Sequence, residues 1–169
     1  MIPGLAIRFA TTGDIPLLVQ LANHIWRDAY KEILSPAQSD YMMDLIYSPA
    51  SLQQQMEQQQ HTFLIIEWEG KPIGFASYSP INGSGLYKLH KIYVDAGIRG
   101  KGIGKAIIDF VIGQIQPAAT ALRLNVNRYN KARFFYEKLG FVIIKEEDID
   151  IGNNYFMNDY VMEKPILSP

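Results

Sequence analysis

The chain has 169 residues, a formal net charge of −1 and 48% apolar residues, a length and content that favour one domain with one substantial core and exclude an intrinsically disordered chain. The near-neutral charge points away from a nucleic-acid or membrane-surface partner, and the absence of cysteine excludes disulfides, thiolate metal sites and a cysteine nucleophile. The opening Met1-Ile-Pro-Gly-Leu5 has neither a basic nor a long apolar stretch, and no run reaches about 18 apolar residues, so a cytoplasmic protein without signal peptide or membrane span is expected.

A short strand is expected over 6–10. Thr11-Thr12-Gly13-Asp14 supplies cap residues, and Leu17, Leu18, Leu21, Ala22 and Ile25 recur at helical spacing, so a helix should run to about Tyr30. Ser35-Pro36 reads as the N-cap and first residue of a second helix over 36–45. A third helix is expected over 51–60, capped by Ser48 or Ser51, with its glutamines on a solvated face. Residues 62–68 and 72–79 form a hairpin turned at Glu69-Gly70-Lys71. A strand over 86–94 then leads through a glycine-rich stretch into a helix with the apolar face Ile103, Ile107, Ile108, Val111, Ile112 and Ile115, ended by Pro117. A strand over 121–126 and a helix over 130–139 follow, the latter closed by Gly140. Residues 141–150 and 155–163 make a closing hairpin around Gly152-Asn153-Asn154. This order predicts an α+β fold in a single domain over 1–169. Its sheet should be largely antiparallel, with at least one strand–helix–strand crossover between 86 and 126.

The glycine-rich stretch carries most of the functional information. Gly100, Gly102 and Gly104 recur at every second position where a helix must begin. Glycine lets backbone N–H groups crowd around a ligand, and a helix N-terminus adds unpaired donors and a positive dipole end. With Arg99, Lys101 and Lys105 around it, the stretch reads as an anion cradle, most naturally for a pyrophosphate. A Walker-type loop is poorly matched, because Gly104-Lys105 is followed by Ala106 and no hydroxyl is available for Mg²⁺. A dinucleotide fingerprint is poorly matched too. The loop lies mid-chain, and the strand about twenty residues on has no acidic residue for a ribose.

Arg99-Gly-Lys-Gly102-Ile-Gly104 resembles the R/Q-x-x-G-x-G/A loop that binds acyl-CoA in the GNAT acetyltransferase superfamily. His90-Lys-Ile-Tyr-Val94 resembles the fourth strand of that family. Asn130-Lys-Ala-Arg-Phe-Phe-Tyr-Glu-Lys-Leu-Gly-Phe141 resembles its second signature, so the resemblance covers roughly residues 60–163. It implies a strongly twisted, mostly antiparallel central sheet of about seven strands flanked by helices, and acetyl-CoA as cofactor with coenzyme A as product. It implies that the backbone of Ile92, Tyr93 and Val94 pairs with the pantetheine arm. The diphosphate falls to Arg99, Gly100, Lys101, Gly102, Ile103, Gly104 and Lys105. Many relatives open the helix with an Asn three residues before the Ala. Here Asn130 lies two before Ala132, so Asn127 and Asn130 are alternatives for a cofactor contact.

Acetyl transfer to an amine needs a neutral amine, donors for the oxyanion and a proton for the departing thiolate. By resemblance Tyr136 matches the family's general acid. Periodicity alone reads it as a core residue of the stripe Ala132, Phe135, Tyr136, Leu139. His90 is a candidate base near neutral pH, alongside a plain strand histidine or a water chain as the base. Trp26 and Tyr30, four apart, share a helix face and suit either an acceptor pocket or the core. The pattern W-x-x-x-Y-x-x-I-L resembles bacterial spermidine/spermine acetyltransferases of the PaiA type. A polyamine acceptor needs aromatic faces and carboxylates, and Asp28, Asp40, Asp44, Glu146, Glu147, Asp148 and Asp150 are candidates. The reading is therefore acetyl transfer from acetyl-CoA directly to a small-molecule primary amine, with no covalent enzyme intermediate. Peptide or lysine acetylation and a non-catalytic acyl-CoA sensor are the alternatives, and a homodimer is left open. No metal site is expected, because His24, His61 and His90 lack ligand spacing.

Overall fold

The computed structural model describes residues 2–167. Seven strands, β1 (Leu5–Phe9), β2 (Thr62–Trp68), β3 (Lys71–Ile81), β4 (Leu86–Val94), β5 (Ala121–Asn127), β6 (Val142–Gly152) and β7 (Tyr155–Pro165), join in the order β1-β2-β3-β4-β5-β7-β6. The β1/β2, β2/β3, β5/β7 and β6/β7 pairs are antiparallel, and β4/β5 is parallel. A parallel pair needs a crossover, and the helix after the glycines supplies it. The fold is thus the mostly antiparallel α+β architecture that the element order implied. By compactness the chain divides into two units, Met1–Ser79 with Lys91–Val111, and Pro80–His90 with Ile112–Pro169.

In the first unit, the helix expected up to Tyr30 is built in pieces. A 3₁₀ turn at Thr12–Asp14 precedes α1 (Ile15–Leu21), a π-helical turn Ala22–Trp26 and α2 (Arg27–Tyr30). The backbone stays right-handed helical through the π turn, a local widening that apolar periodicity does not reveal. α3 (Pro36–Tyr47) starts where Ser35 accepts the Gln38 N–H at 3.1 Å. α4 (Pro49–Glu57) starts where Ser48 accepts the Ser51 N–H, so Ser48 is the cap and Pro49 the first helical residue. β2 buries Phe63, Leu64, Ile65 and Ile66 in succession, the mark of a strand covered on both faces. Gly74 on β3 permits a close backbone approach, since an added Cβ would run into the Tyr93 carbonyl of β4.

In the second unit, β4 pairs with β5 from Leu86↔Ala121 to Leu89↔Leu124. The helix α5 (Ile103–Ile115) buries Ile103, Ile107, Ile108, Val111 and Ile115 of the predicted apolar stripe, while Ile112 is only partly buried; its last turn belongs to this unit. α6 (Ala132–Lys138) begins two residues later than expected, because the Asn130 side chain accepts the Ala132 N–H in a turn of its own. The β6/β7 hairpin closes through Asn153-Asn154, both with positive φ (55° and 61°), the type I′ geometry that matches strand twist.

Candidate active site

In the first unit, β4 leaves the sheet into a capped turn. Asp95 Oδ1 accepts the Gly97 N–H at 2.8 Å, opening a 3₁₀ turn over Ala96–Ile98. Asp95 Oδ2 lies 3.1 Å from His24 Nε2, so a helix histidine braces the turn that feeds the glycine loop. The spacing of the histidines held no hint of this pairing, because 71 residues separate the partners. Gly100 and Gly102 then adopt φ of +86° and +76°, a region that L side chains avoid. A Cβ at Gly100 would meet nothing within 4 Å, and one at Gly102 only Ile2 Cδ1 at 3.8 Å. The protein therefore leaves the space beside these two residues open. Gly104 differs, being an ordinary helical residue of α5 with no positive φ.

The first hydrogen bond of α5 runs from the Ala106 N–H to the Gly102 carbonyl at 3.1 Å. The amides of Ile103, Gly104 and Lys105 thus precede the helical ladder and carry its positive dipole end. The cations around the loop are disposed unequally. Lys105 is engaged by Asp109 at 2.6 Å, and Lys101 lies 5.6 Å over the Trp68 ring. Arg99 is close enough to Asp28 to help hold that carboxyl below its ordinary value, after the stronger effect of Lys31. Open space at two Cβ positions and three unladdered amides are thus found within one short loop.

Trp26 and Tyr30 are both buried, at 2% and 6% exposure. They form an aromatic cluster with Tyr47, Phe75 and Tyr93, with Trp26–Tyr30 centroids 5.2 Å apart and Tyr30–Tyr93 6.3 Å. Burial of Tyr47 in this cluster pushes its hydroxyl well above the usual tyrosine range. Tyr93 therefore turns its side chain to the cluster, while Ile92 and Val94 alternate to the other face of β4. Lys91 is also buried, its ammonium 2.7 Å from Gln55 Oε1 and above the Tyr47 and Phe63 rings. Gln55 in turn donates to the Ile46 carbonyl at 2.8 Å. The glutamine run is thus not wholly a solvated face. Gln55 turns inward because a buried ammonium needs an acceptor.

In the second unit, Tyr136 on α6 is 8% exposed, and its ring meets Phe141 edge-on at 5.9 Å. The two asparagines behave alike: Asn127 Oδ1 accepts the Tyr129 N–H, and Asn130 Oδ1 accepts the Ala132 N–H, each at 2.9 Å. Both carbonyl ends are committed to turns. The paired rows of β4, β5, β7 and β6 separate two sheet faces. Leu89, Leu124, Val126 and Met162 lie on the apolar side. On the other side lie Lys88, Arg123, Asn125, Asp159 and Glu147, with His90 one pleat along from Lys88. Asp159 is 2% exposed; its Oδ2 accepts from Asn125 Nδ2 at 3.3 Å, and its Oδ1 has no hydrogen-bond partner among the described residues. Burial pushes the Asp159 carboxyl above its ordinary value and holds the Lys88 ammonium below its own. No sequence signal marked Asp159, since a single Asp in a strand looks solvated.

Most carboxylates considered for a cationic acceptor are engaged within the protein. Asp28 pairs with Lys31, Asp40 with Arg27, Asp148 with Arg128 and Glu147 with Lys145. Among the described residues, no cluster of acidic, histidine or cysteine side chains is arranged to hold a metal ion. None of the described helices is long and apolar enough to cross a membrane.

The family model for the acetyltransferase (GNAT) domain matches this chain over residues 32–157. The chain belongs to the GNAT acetyltransferase family. As a GNAT fold it is similar to the PaiA N-acetyltransferase of Thermoplasma acidophilum, whose structure was solved with coenzyme A. The two share 26% identity over 95% of this chain and 98% of that one, with a TM-score of 0.79. A GCN5-related N-acetyltransferase of Rhodopseudomonas palustris has the same fold, with a TM-score of 0.81, 19% identity and 98% of each chain covered. An uncharacterised N-acetyltransferase of Methanocaldococcus jannaschii is 33% identical over 93 residues, or 51% of this chain. The match spans 41% of that relative's length. In this GNAT chain the loop over 99–105 and the signature helix α6 fall where the two sequence motifs were found, each with its own local geometry described above.

Proposed function

We propose that this protein is an acetyl-CoA-dependent N-acetyltransferase acting in the cytoplasm on a primary amine of a small molecule. The observation that carries this reading is the loop over 99–105, with positive φ at Gly100 and Gly102, open space at their Cβ positions and unladdered amides at Ile103, Gly104 and Lys105. Acetyl-CoA, when bound, supplies an activated thioester carbonyl. The loop amides hold the diphosphate, with Lys101 and Arg99 adding charge. Main-chain groups of Ile92, Tyr93 and Val94, beyond the last β4/β5 pair, hold the amide-bearing arm as an added strand does. Tyr136 donates a proton to the departing sulfur, and His90 takes one from the attacking amine. Transfer goes directly to the amine, and the absence of cysteine excludes a cysteinyl thioester intermediate.

Spermidine heads the acceptors on the resemblance of the W-x-x-x-Y-x-x-I-L pattern alone, because Trp26 and Tyr30, expected to shape an acceptor pocket, are buried in the core aromatic cluster. A panel of polyamines, monoamines, amino acids and N-terminal peptides, scored by thiol release from acetyl-CoA, tests the reading. Turnover with a small amine supports it. Turnover only with peptides would move the acceptor class. Coenzyme A binding without turnover on any amine would leave a sensor.

A further inference from the structure

Asp95 joins β4 to the glycine loop, and four hydrogen bonds converge on it. Its N–H donates to the Ile73 carbonyl of β3 at 2.8 Å, and its own carbonyl accepts the Ile98 N–H at 3.0 Å. Its Oδ1 accepts the Gly97 N–H at 2.8 Å, and its Oδ2 accepts from His24 Nε2 at 3.1 Å. The first three bonds fix where the loop starts. The fourth ties that start to the π-helical turn Ala22–Trp26. Asp28, the next carboxylate along the same helical stretch, is paired with Lys31 at 2.8 Å. All of these residues belong to the first unit, as does the loop itself. We propose that His24 is a positioning residue for the coenzyme: through Asp95 it holds the loop over 99–105 in the conformation that receives the diphosphate. The inference rests on the acetyl-CoA reading above.

An ionised carboxylate can only accept, so Nε2 is the donor in the His24–Asp95 bond. Gly100 and Gly102 follow a few residues after Asp95, both at positive φ, and glycine has no side chain to hold it there. Such a segment samples other conformations unless its two ends are fixed. One end enters α5, and the other is Asp95. Where only a fraction of molecules holds the competent loop, the apparent Kd is the intrinsic value divided by that fraction. Loss of the His24 tether lowers the fraction and weakens binding. A bound coenzyme then fixes the loop itself, so turnover at saturation is unchanged. The His24 side chain is 72% exposed, so its replacement spares the core.

The test measures coenzyme A affinity by calorimetry and Tm by fluorimetry in the full chain carrying His24→Ala, His24→Gln, Asp95→Ala, or His24→Ala with Asp95→Ala. His24→Ala should raise the coenzyme A Kd roughly threefold, the scale of a solvent-exposed pair, with Tm within about 2 °C of the parent. Glutamine offers an N–H donor of similar reach, so His24→Gln should bind as the parent does. On top of Asp95→Ala, His24→Ala should add nothing, because the tether has already lost its anchor. With an amine that turns over, the KM for acetyl-CoA should rise in His24→Ala while kcat stays. Parent affinity in His24→Ala, equal losses in the alanine and glutamine variants, additive losses in the double variant, or a fall in kcat at unchanged Kd overturns this inference alone. Absence of coenzyme A binding by the parent overturns it together with the acetyl-CoA reading.

Discussion

The anion cradle can be tested by a pair of matched substitutions. Gly102 and Gly70 have nearly the same backbone, φ +76° and +79°, and neither has protein atoms that an added Cβ would strike. Gly70 sits in the β2/β3 turn, away from the loop. Alanine at either position forces a side chain into the left-handed region at about 1–2 kcal/mol. For a chain of this size each kcal/mol lowers Tm by about 2–4 °C, so both variants should melt about 2–8 °C lower. The two should separate only when coenzyme A is added. A methyl group at Gly102 stands among the amides that face the diphosphate and displaces a charge-assisted hydrogen bond of roughly 1.5–3 kcal/mol. That predicts a Kd for coenzyme A raised roughly tenfold to a hundredfold in Gly102→Ala and unchanged in Gly70→Ala. Differential scanning fluorimetry reads the first quantity and isothermal titration calorimetry the second. Equal coenzyme A affinity in the two variants would refute the cradle, because strain would then explain the whole effect.

Tyr136→Phe should lower kcat by about 10²-fold while leaving the coenzyme A Kd unchanged, since only a proton donor is lost from a ring that stays packed on Phe141. Gln55→Leu should destabilise the fold by about 1–3 kcal/mol in urea unfolding, because the buried Lys91 ammonium loses its 2.7 Å acceptor. Asp159 has a folded pKa above its ordinary 3.8, so its ionisation costs stability as pH rises from there through the folded value. Asp159→Asn should therefore be more stable than the parent at neutral pH, with the advantage vanishing below about pH 3. Asp14 has the opposite sign: Arg8 holds its carboxyl low, so the stability it adds is present above 3.8 and lost as pH falls through the folded value. Asp14→Asn should flatten that acid limb in a melting series.

Much of the candidate loop's conformation was legible because its parts are contiguous in sequence. The strand, glycines and helix over 86–115 carry their own periodicity and conformational demands, and the positive φ values at Gly100 and Gly102 agree with that reading. Gly104 shows its limit, since a glycine inside a helix looks the same on paper as one in a turn. The asparagines also show it: their type suits either a turn or a ligand, and Asn127 and Asn130 have committed their oxygens to turns.

Local pattern by itself determined the seven strands, the crossover helix and the loop, because alternation, helical spacing and glycine chemistry act within a few residues. Long-range packing alone decided the rest. It turned Trp26 and Tyr30 into a buried cluster with Tyr93, and drew Gln55 to Lys91 across 36 residues. It also set His24 against Asp95 and left Asp159 buried with one oxygen unpartnered among the described residues. Burial and charge pairing depend on which strands become neighbours, and that ordering is a property of the folded sheet.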